Sequence, residues 1–399
     1  MSGDRSIQMS RGVSHLERSV MRDLLKLAVD PDIVSLAGGL PADETLPVDA
    51  YGACLDAVLA RDGAASLQYS PPYAPLQAWI AEHMRSRGVA CSPDQIFITN
   101  GAQQGLSILS TMLLDPGDPA AVEAIAFTGI QQVTAGRGAE VRTVAIDPTT
   151  GADVQALEDV FRDEPPPKLA VLVPNFHNPL SATMPSSARQ TAAELAARYQ
   201  VPLIEDDPYS MLRFEGDPLP PIKAYDQDGW VFYLGSFSKM FAPGVRLGWI
   251  VAPENMIPKI TVVRESMDLE TSTLTQRAVH EFIRRGHLET HLADMNALHK
   301  ARRDRLLAAL ESEFTSGESW TRPQGGLFVW LTLAEGLDAW KLFEAAVAKK
   351  VAYIPGAAFA VEGGHENCLR LSFGNVRTER IETGVARLAE AIREAALTH

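Results

Sequence analysis

Residues 235–248 read Gly235-Ser236-Phe237-Ser238-Lys239-Met240-Phe241-Ala242-Pro243-Gly244-Val245-Arg246-Leu247-Gly248. Two apolar stretches that read as buried strands flank the run, Val231–Leu234 before it and Val245–Val251 after it. A lysine at such a junction has apolar surroundings, which disfavour its ammonium form and lower its pKa. A lysine that is to hold a carbonyl compound as an imine needs that setting. Ser236, Ser238 and Arg246, with a flexible glycine between them, add two hydroxyls and a guanidinium suited to a phosphate. A lysine in a surface loop is the plain alternative, and the spacing Ser-x-Ser-Lys…Pro-Gly-x-Arg-x-Gly argues against it.

Strands and helices alternate upstream. Ile96–Thr99 is a short apolar run followed by Asn100-Gly101 and a helix from about Gln103 to Leu113. Val122–Ile125 and Val141–Val144 are further strand candidates, and Leu169–Pro174 is a continuous apolar run. A helix over Ser187–Tyr199 leads to a strand at Pro202–Glu205, which ends in Glu205-Asp206-Asp207. Strands that are apolar throughout and separated by helices predict an α/β fold, with a mostly parallel sheet covered by helices on both faces. Ligands in such sheets bind beyond the strand carboxyl ends, where these polar motifs fall. From about residue 276 the pattern changes to long helices. Short strands then follow at Gly326–Leu333, Val351–Ile354 and Leu369–Phe373, with a closing helix over Arg377–Ala396. These form a smaller α+β domain. An amphipathic helix over 14–28 and an extended Ile33–Gly39 precede the large domain. The expected division is an arm and part of the small domain at 1–48, the large domain at 49–285, and the small domain at 286–399.

The chain has 399 residues, 46% of them hydrophobic, and a formal charge of −14. Without a basic stripe to neutralise phosphates, a nucleic acid or an anionic membrane is not an expected partner. No apolar run approaches the roughly 20 residues that cross a bilayer. Three separated cysteines and a start without an apolar signal region predict a cytoplasmic protein. His287 and His291 stand four apart on a helix; with no third ligand placed beside them, they read as a solvated face and no metal is expected.

The lysine run resembles the cofactor segment of fold type I pyridoxal 5′-phosphate (PLP) enzymes, the aspartate aminotransferase superfamily. Val34–Pro41, Leu67–Pro71 and Gly325–Trp330 resemble its branch of 2-aminoadipate and broad-range α-aminotransferases. The resemblance spans nearly the whole chain and implies a seven-stranded large-domain sheet. It implies that Lys239 carries PLP and shuttles a proton. Asp206 would face the pyridinium nitrogen, with Asp207 the alternative, and Tyr209 and Asn178 would bond the ring oxygen. Gly101, Ala102 and Gln103 would hold the phosphate from one side and Ser236, Ser238 and Arg246 from the other, with Phe127 stacked on the ring. Arg370, an arginine in an otherwise apolar strand, would take the substrate α-carboxylate together with Asn178. Gly39 and Arg22 would contact substrate, Arg22 reaching the distal acid of a dicarboxylate from the N-terminal helix. Tyr69 would reach the neighbouring subunit's phosphate in an obligate homodimer. A cis Asn178–Pro179 bond is implied as well.

The chain departs from the pattern at three places. His177 and Leu180-Ser181 flank Asn178-Pro179 where Gln and Thr-Gly are usual, Phe127 lacks a hydroxyl, and the turn after Tyr69 (Pro71–Gln77) is shortened. The expected activity is exchange of an amino group between an L-amino acid and a 2-oxo acid, with glutamate and 2-oxoglutarate as one pair. The same cofactor seat would serve a lyase, decarboxylase or oxidase, which is the alternative. A transcription regulator with this domain would carry a basic winged-helix module ahead of it, and no such module fits before residue 14.

Overall fold

The structure is a computed structural model and describes residues 7, 9, 30–315 and 317–396. The predicted helix over 14–28, with Arg22, lies outside the described residues. The large sheet has seven strands. Across it they run Ile96–Thr99, Gly248–Val251, Val231–Ser236, Leu203–Asp207, Leu169–Leu172, Pro119–Glu123 and Glu140–Val144. Gly248–Val251 is antiparallel to both neighbours, and the other pairings are parallel.

Alternation along the strands explains why both faces are covered. Val122, Val171, Ile204, Leu234 and Ile250 pack on one side against Leu106, Ile108 and Leu109 of the helix Ala102–Leu113. Ala121, Ala170, Leu172, Leu203 and Val231 pack on the other against Leu157 and Phe161 of the helix Val154–Arg162 and Leu195 of the helix Ser186–Tyr199. Two helices, Val48–Asp62 and Ala74–Ser86, precede the first large-sheet strand and were not legible in the sequence.

A four-stranded antiparallel sheet follows, in the order Ser319–Trp320, Phe328–Thr332, Cys368–Ser372, Ile354–Pro355. The extended segment near residue 34 joins this part of the molecule. Val34–Ser35 pairs in parallel with Val351–Ala352, and Ser372 N donates to Leu36 O at 2.7 Å. Predicted strand Val245–Val251 begins only at Gly248, because Pro243–Val245 forms a 3-10 turn and Arg246 takes a left-handed conformation at φ 51°. The histidine reading is corrected. His291 is buried, with its ring against Phe241 and Phe282, because the 27-residue helix His287–Glu313 lies over the lysine segment. Among the described residues, no helix is long and apolar enough to cross a membrane.

Candidate active site

Five strand ends converge on a cleft of about 330 Å³. Its lining includes Gly39, Ala102, Gln103, Phe127, Asn178, Asp206, Tyr209, Ser236, Ser238, Lys239, Arg246 and Arg370. Predictions scattered over more than 330 residues of sequence thus fall in one place. Tyr69 is 75% exposed and lines a different cleft of this chain.

Lys239 follows the strand Val231–Ser236 in a one-turn helix, capped where Ser236 accepts from Ser238 N. Its Nζ donates to Gly39 O at 2.8 Å. Burial brings its pKa down to about 8, and the positive charges of Arg370 and Arg246 push the same way. A substantial neutral fraction near physiological pH makes this amine a nucleophile and a base.

The paired acids of the strand Leu203–Asp207 separate by alternation. Asp207 is saturated: it accepts from Arg87 Nη2 at 2.8 Å, Tyr233 Oη at 3.0 Å, Asn175 Nδ2 at 3.0 Å and Ser210 N at 3.1 Å. Burial alone would raise its pKa, but Arg87 outweighs that and holds it below the usual carboxylate range. Asp206 points into the cleft, and its Oδ1 is buried without a partner among the described residues. Burial first, then Asp207 and Glu123, raise its pKa to about 7. Of the two, Asp206 is the carboxylate with a site left for a cationic ring nitrogen.

Arg370 is 1% exposed. It donates to Asn178 Oδ1 at 2.8 Å and to Ala37 O, and it lies 4.4 Å over the Phe328 ring. Its Nε has no partner, and among the described residues no carboxylate pairs with it. Burial lowers its pKa to about 10. A buried guanidinium in this condition is ready for an anion supplied from outside. Asn178 precedes a cis Asn178–Pro179 bond.

At the other end of the cleft, Gly101 caps the helix Ala102–Leu113. Its φ is +83°, and a Cβ there would lie 2.9 Å from Arg246 Nη2. Gly248 closes the same corner, since a Cβ on it would lie 2.8 Å from Gly101 C and 2.9 Å from Ala102 N. The first N–H groups of the helix, the Ser236 and Ser238 hydroxyls and Arg246 therefore border one small polar space, which suits a phosphate.

These observations fit PLP. Asp206 Oδ1 lacks a partner where a pyridinium would sit, the glycine-built corner takes a phosphate, and Lys239 lies between them with a depressed pKa. The sequence reading missed the support beneath. Glu123 and His177 are both buried and paired at 3.1 Å, and Glu123 also accepts from Val173 N at 3.0 Å. An acid in the apolar run Val122-Glu123-Ala124 was the available signal.

Comparison with known proteins agrees with this geometry. The family model described as aminotransferase class I and II matches residues 31–388. An aromatic-amino-acid aminotransferase from Thermococcus litoralis is 40% identical over 386 residues, covering 95% of this chain and 92% of that protein. The structure of a Pyrococcus horikoshii kynurenine aminotransferase in complex with PMP superposes with a TM-score of 0.92 at 36% identity, covering 97% of each chain. That of a Thermus thermophilus α-aminoadipate aminotransferase, complexed with N-(5′-phosphopyridoxyl)-L-leucine, gives 0.90 at 34% identity over 98% of each chain. The chain belongs to the class I and II aminotransferases and works with pyridoxal phosphate as its cofactor.

Proposed function

We propose that this aminotransferase exchanges the amino group of an L-amino acid with a 2-oxo acid, with glutamate and 2-oxoglutarate as one pair. The observation that carries the reading is Arg370: a buried guanidinium, with no carboxylate on it among the described residues, opening into the cleft that also holds Lys239. It would orient the substrate α-carboxylate, with Asn178 fixing the guanidinium through its 2.8 Å contact. Lys239 would hold PLP and, once released, its Nζ would take the proton from the substrate α-carbon. Asp206 would keep the ring nitrogen protonated. Bound PLP supplies the electron sink that lets an α-proton leave. Gly101, Ala102, Gln103, Ser236, Ser238 and Arg246 would hold the phosphate, and Phe127 would cover the ring face.

Substrates of the relatives include aromatic amino acids, α-aminoadipate and kynurenine. Selectivity beyond the α-carboxylate is assigned to the segment around Gly39 and Leu40 and to Arg22. We further propose a homodimer in which Tyr69 serves the neighbouring site. Leu67, Tyr69, Val262, Met267 and Leu269 are between 41% and 75% exposed, an apolar set that a second copy would cover. We also propose the division into an arm and part of the small domain at 1–48, a large domain at 49–285 and a small domain at 286–399, and three buried free cysteines suit a reducing cytoplasm.

The deciding experiment mixes the PLP-loaded enzyme with glutamate in the absence of any acceptor. One equivalent of 2-oxoglutarate per active site, and no ammonia or carbon dioxide, is expected. Catalytic release of either gas from glutamate and from a panel of amino acids would instead identify a lyase or decarboxylase. No oxo-acid product from any of them would end the transamination reading.

A further inference from the structure

The joint between the strand Ile96–Thr99 and the helix Ala102–Leu113 is gripped from outside the cleft by one carboxylate. Asp268 Oδ2 accepts from Asn100 Nδ2 and from Gln104 Nε2, each at 2.7 Å. Its Oδ1 accepts from Arg264 Nε. Gln104 returns its Oε1 to Asn100 N at 2.8 Å, and Asn100 O accepts from Arg246 Nη2 at 3.1 Å. Arg264, 2% exposed, also donates to Thr271 Oγ1 at 3.0 Å. Asn100 and Gln104, on either side of the Gly101–Gln103 corner, are therefore both wired to Asp268, and Asn100 to Arg246 as well.

The chain after Asp268 turns in an unusual way. Leu269 has φ 68° and ψ −69°, and Glu270 N donates back to Asp268 O at 2.9 Å, a γ-turn. A leucine in this conformation is strained and persists only where its surroundings over-determine it. Burial of Leu269 does not supply that constraint, because the side chain is 58% exposed. Its two neighbours do. Asp268 is held as above, and the Glu270 carboxylate accepts from Ser70 N at 3.1 and 3.4 Å. Ser70 directly follows Tyr69, and both residues line one cleft together with Leu269 and Glu270.

We propose that Asp268-Leu269-Glu270 is a positioning turn that sets the anion-binding corner and the Tyr69 segment together, with Asp268 as the positioning residue for the cofactor phosphate. The proposal rests on the reading above that Gly101–Gln103 take that phosphate. Asp268 does not touch the cofactor; it orients the groups around Gly101. The carboxylate is required because all its contacts are donors. An amide offers one accepting oxygen and presents an N–H₂ to the remaining donors, so Asp268→Asn must release at least one of Asn100, Gln104 and Arg264.

The test compares two ligands on protein stripped of PLP: PLP itself, and pyridoxal, which lacks the phosphate. Binding is followed by absorbance. Asp268→Asn is expected to raise the PLP dissociation constant about tenfold and to leave that of pyridoxal within about twofold. Glu270→Ala is expected to show the same selectivity at a smaller amplitude, with weaker self-association in sedimentation. If Asp268→Asn does not fold, Gln104→Met, which removes one donor to Asp268 Oδ2 together with the acceptor for Asn100 N, is expected to weaken PLP about threefold, again sparing pyridoxal. Equal weakening of both ligands, or unchanged PLP binding, overturns the proposal. Wild-type protein that holds PLP no more tightly than pyridoxal overturns the phosphate reading and this proposal with it.

Discussion

Asp206 makes a prediction whose sign is opposite with and without cofactor. In the stripped protein its carboxylate is buried, has one oxygen unpartnered, and has Asp207 and Glu123 as negative neighbours. Its pKa rises from an ordinary 3.8 to about 7. At 1.36 kcal/mol per pH unit, ionising it in the folded state costs about 4 kcal/mol more than in the unfolded chain. Between these two values the folded protein binds more protons than the unfolded one. The associated stability is present below pH 4 and is lost as pH rises through 7. Asp206→Asn removes the ionisation, so the stripped variant should gain on stripped wild type as pH rises. We expect little difference at pH 4 and up to about 4 kcal/mol at pH 8.5, measured by urea unfolding of both proteins without PLP. The same variant, loaded with PLP, should lose activity, because the ring nitrogen loses its counter-charge. A gain that does not vary with pH, or a stripped variant less stable than wild type at pH 8.5, would refute the argument that Asp206 is a destabilised carboxylate waiting for a cation.

Further outcomes follow from other parts of the site. Lys239→Ala should lower kcat by about 10³ or more, read in the glutamate half-reaction, because among the described residues no other amine lines the cleft. Capture of PLP by the stripped wild type should quicken about tenfold per pH unit up to pH 8 and then level off, since the reactive amine is the neutral form and its pKa is about 8; a rise continuing to pH 10 contradicts the burial argument. Arg370→Lys should reduce kcat/KM for amino acids by about a hundredfold while leaving PLP binding unchanged, because the ammonium cannot make the paired contact to a carboxylate. Gly101→Ala should weaken PLP markedly, through a left-handed φ of +83° and a 2.9 Å approach to Arg246 Nη2, checked by the same titration.

The α/β class was legible because the strand Leu169–Leu172 is apolar throughout and is followed, after a helix, by the strand Leu203–Asp207, which opens on Leu-Ile before its acids. Lys239 and Arg246 stood out by their spacing within one short run, and Asn178 through the family resemblance. Choosing Asp206 over Asp207 was open at that level, and the reason it resolves is periodicity. Glu205 and Asp207 share a face and meet Ile222 N, Lys223 N and Arg87, while Asp206 alone turns to the cleft. Other features depended on distant contacts that no local pattern carries. The burial of His291 needs Phe241 and Phe282, some 9 to 50 residues away along the chain. The role of Asp268 needs Asn100 and Gln104, more than 160 residues earlier. Val48–Asp62 and Ala74–Ser86 have short apolar stripes interrupted by polar residues, so their helical period is weak.

The stretch Leu36–Leu40 hangs from the four-stranded sheet, through Ser372 N to Leu36 O and Arg370 to Ala37 O, while Gly101, Gly248 and Arg246 belong to the seven-stranded one. The two ends of the cleft are thus anchored in different frameworks. Under the proposed assignment, replacements around Leu40 would alter which amino-acid side chains are admitted without loosening the grip on the phosphate, leaving lineages that share this scaffold free to diverge in diet while keeping one vitamin.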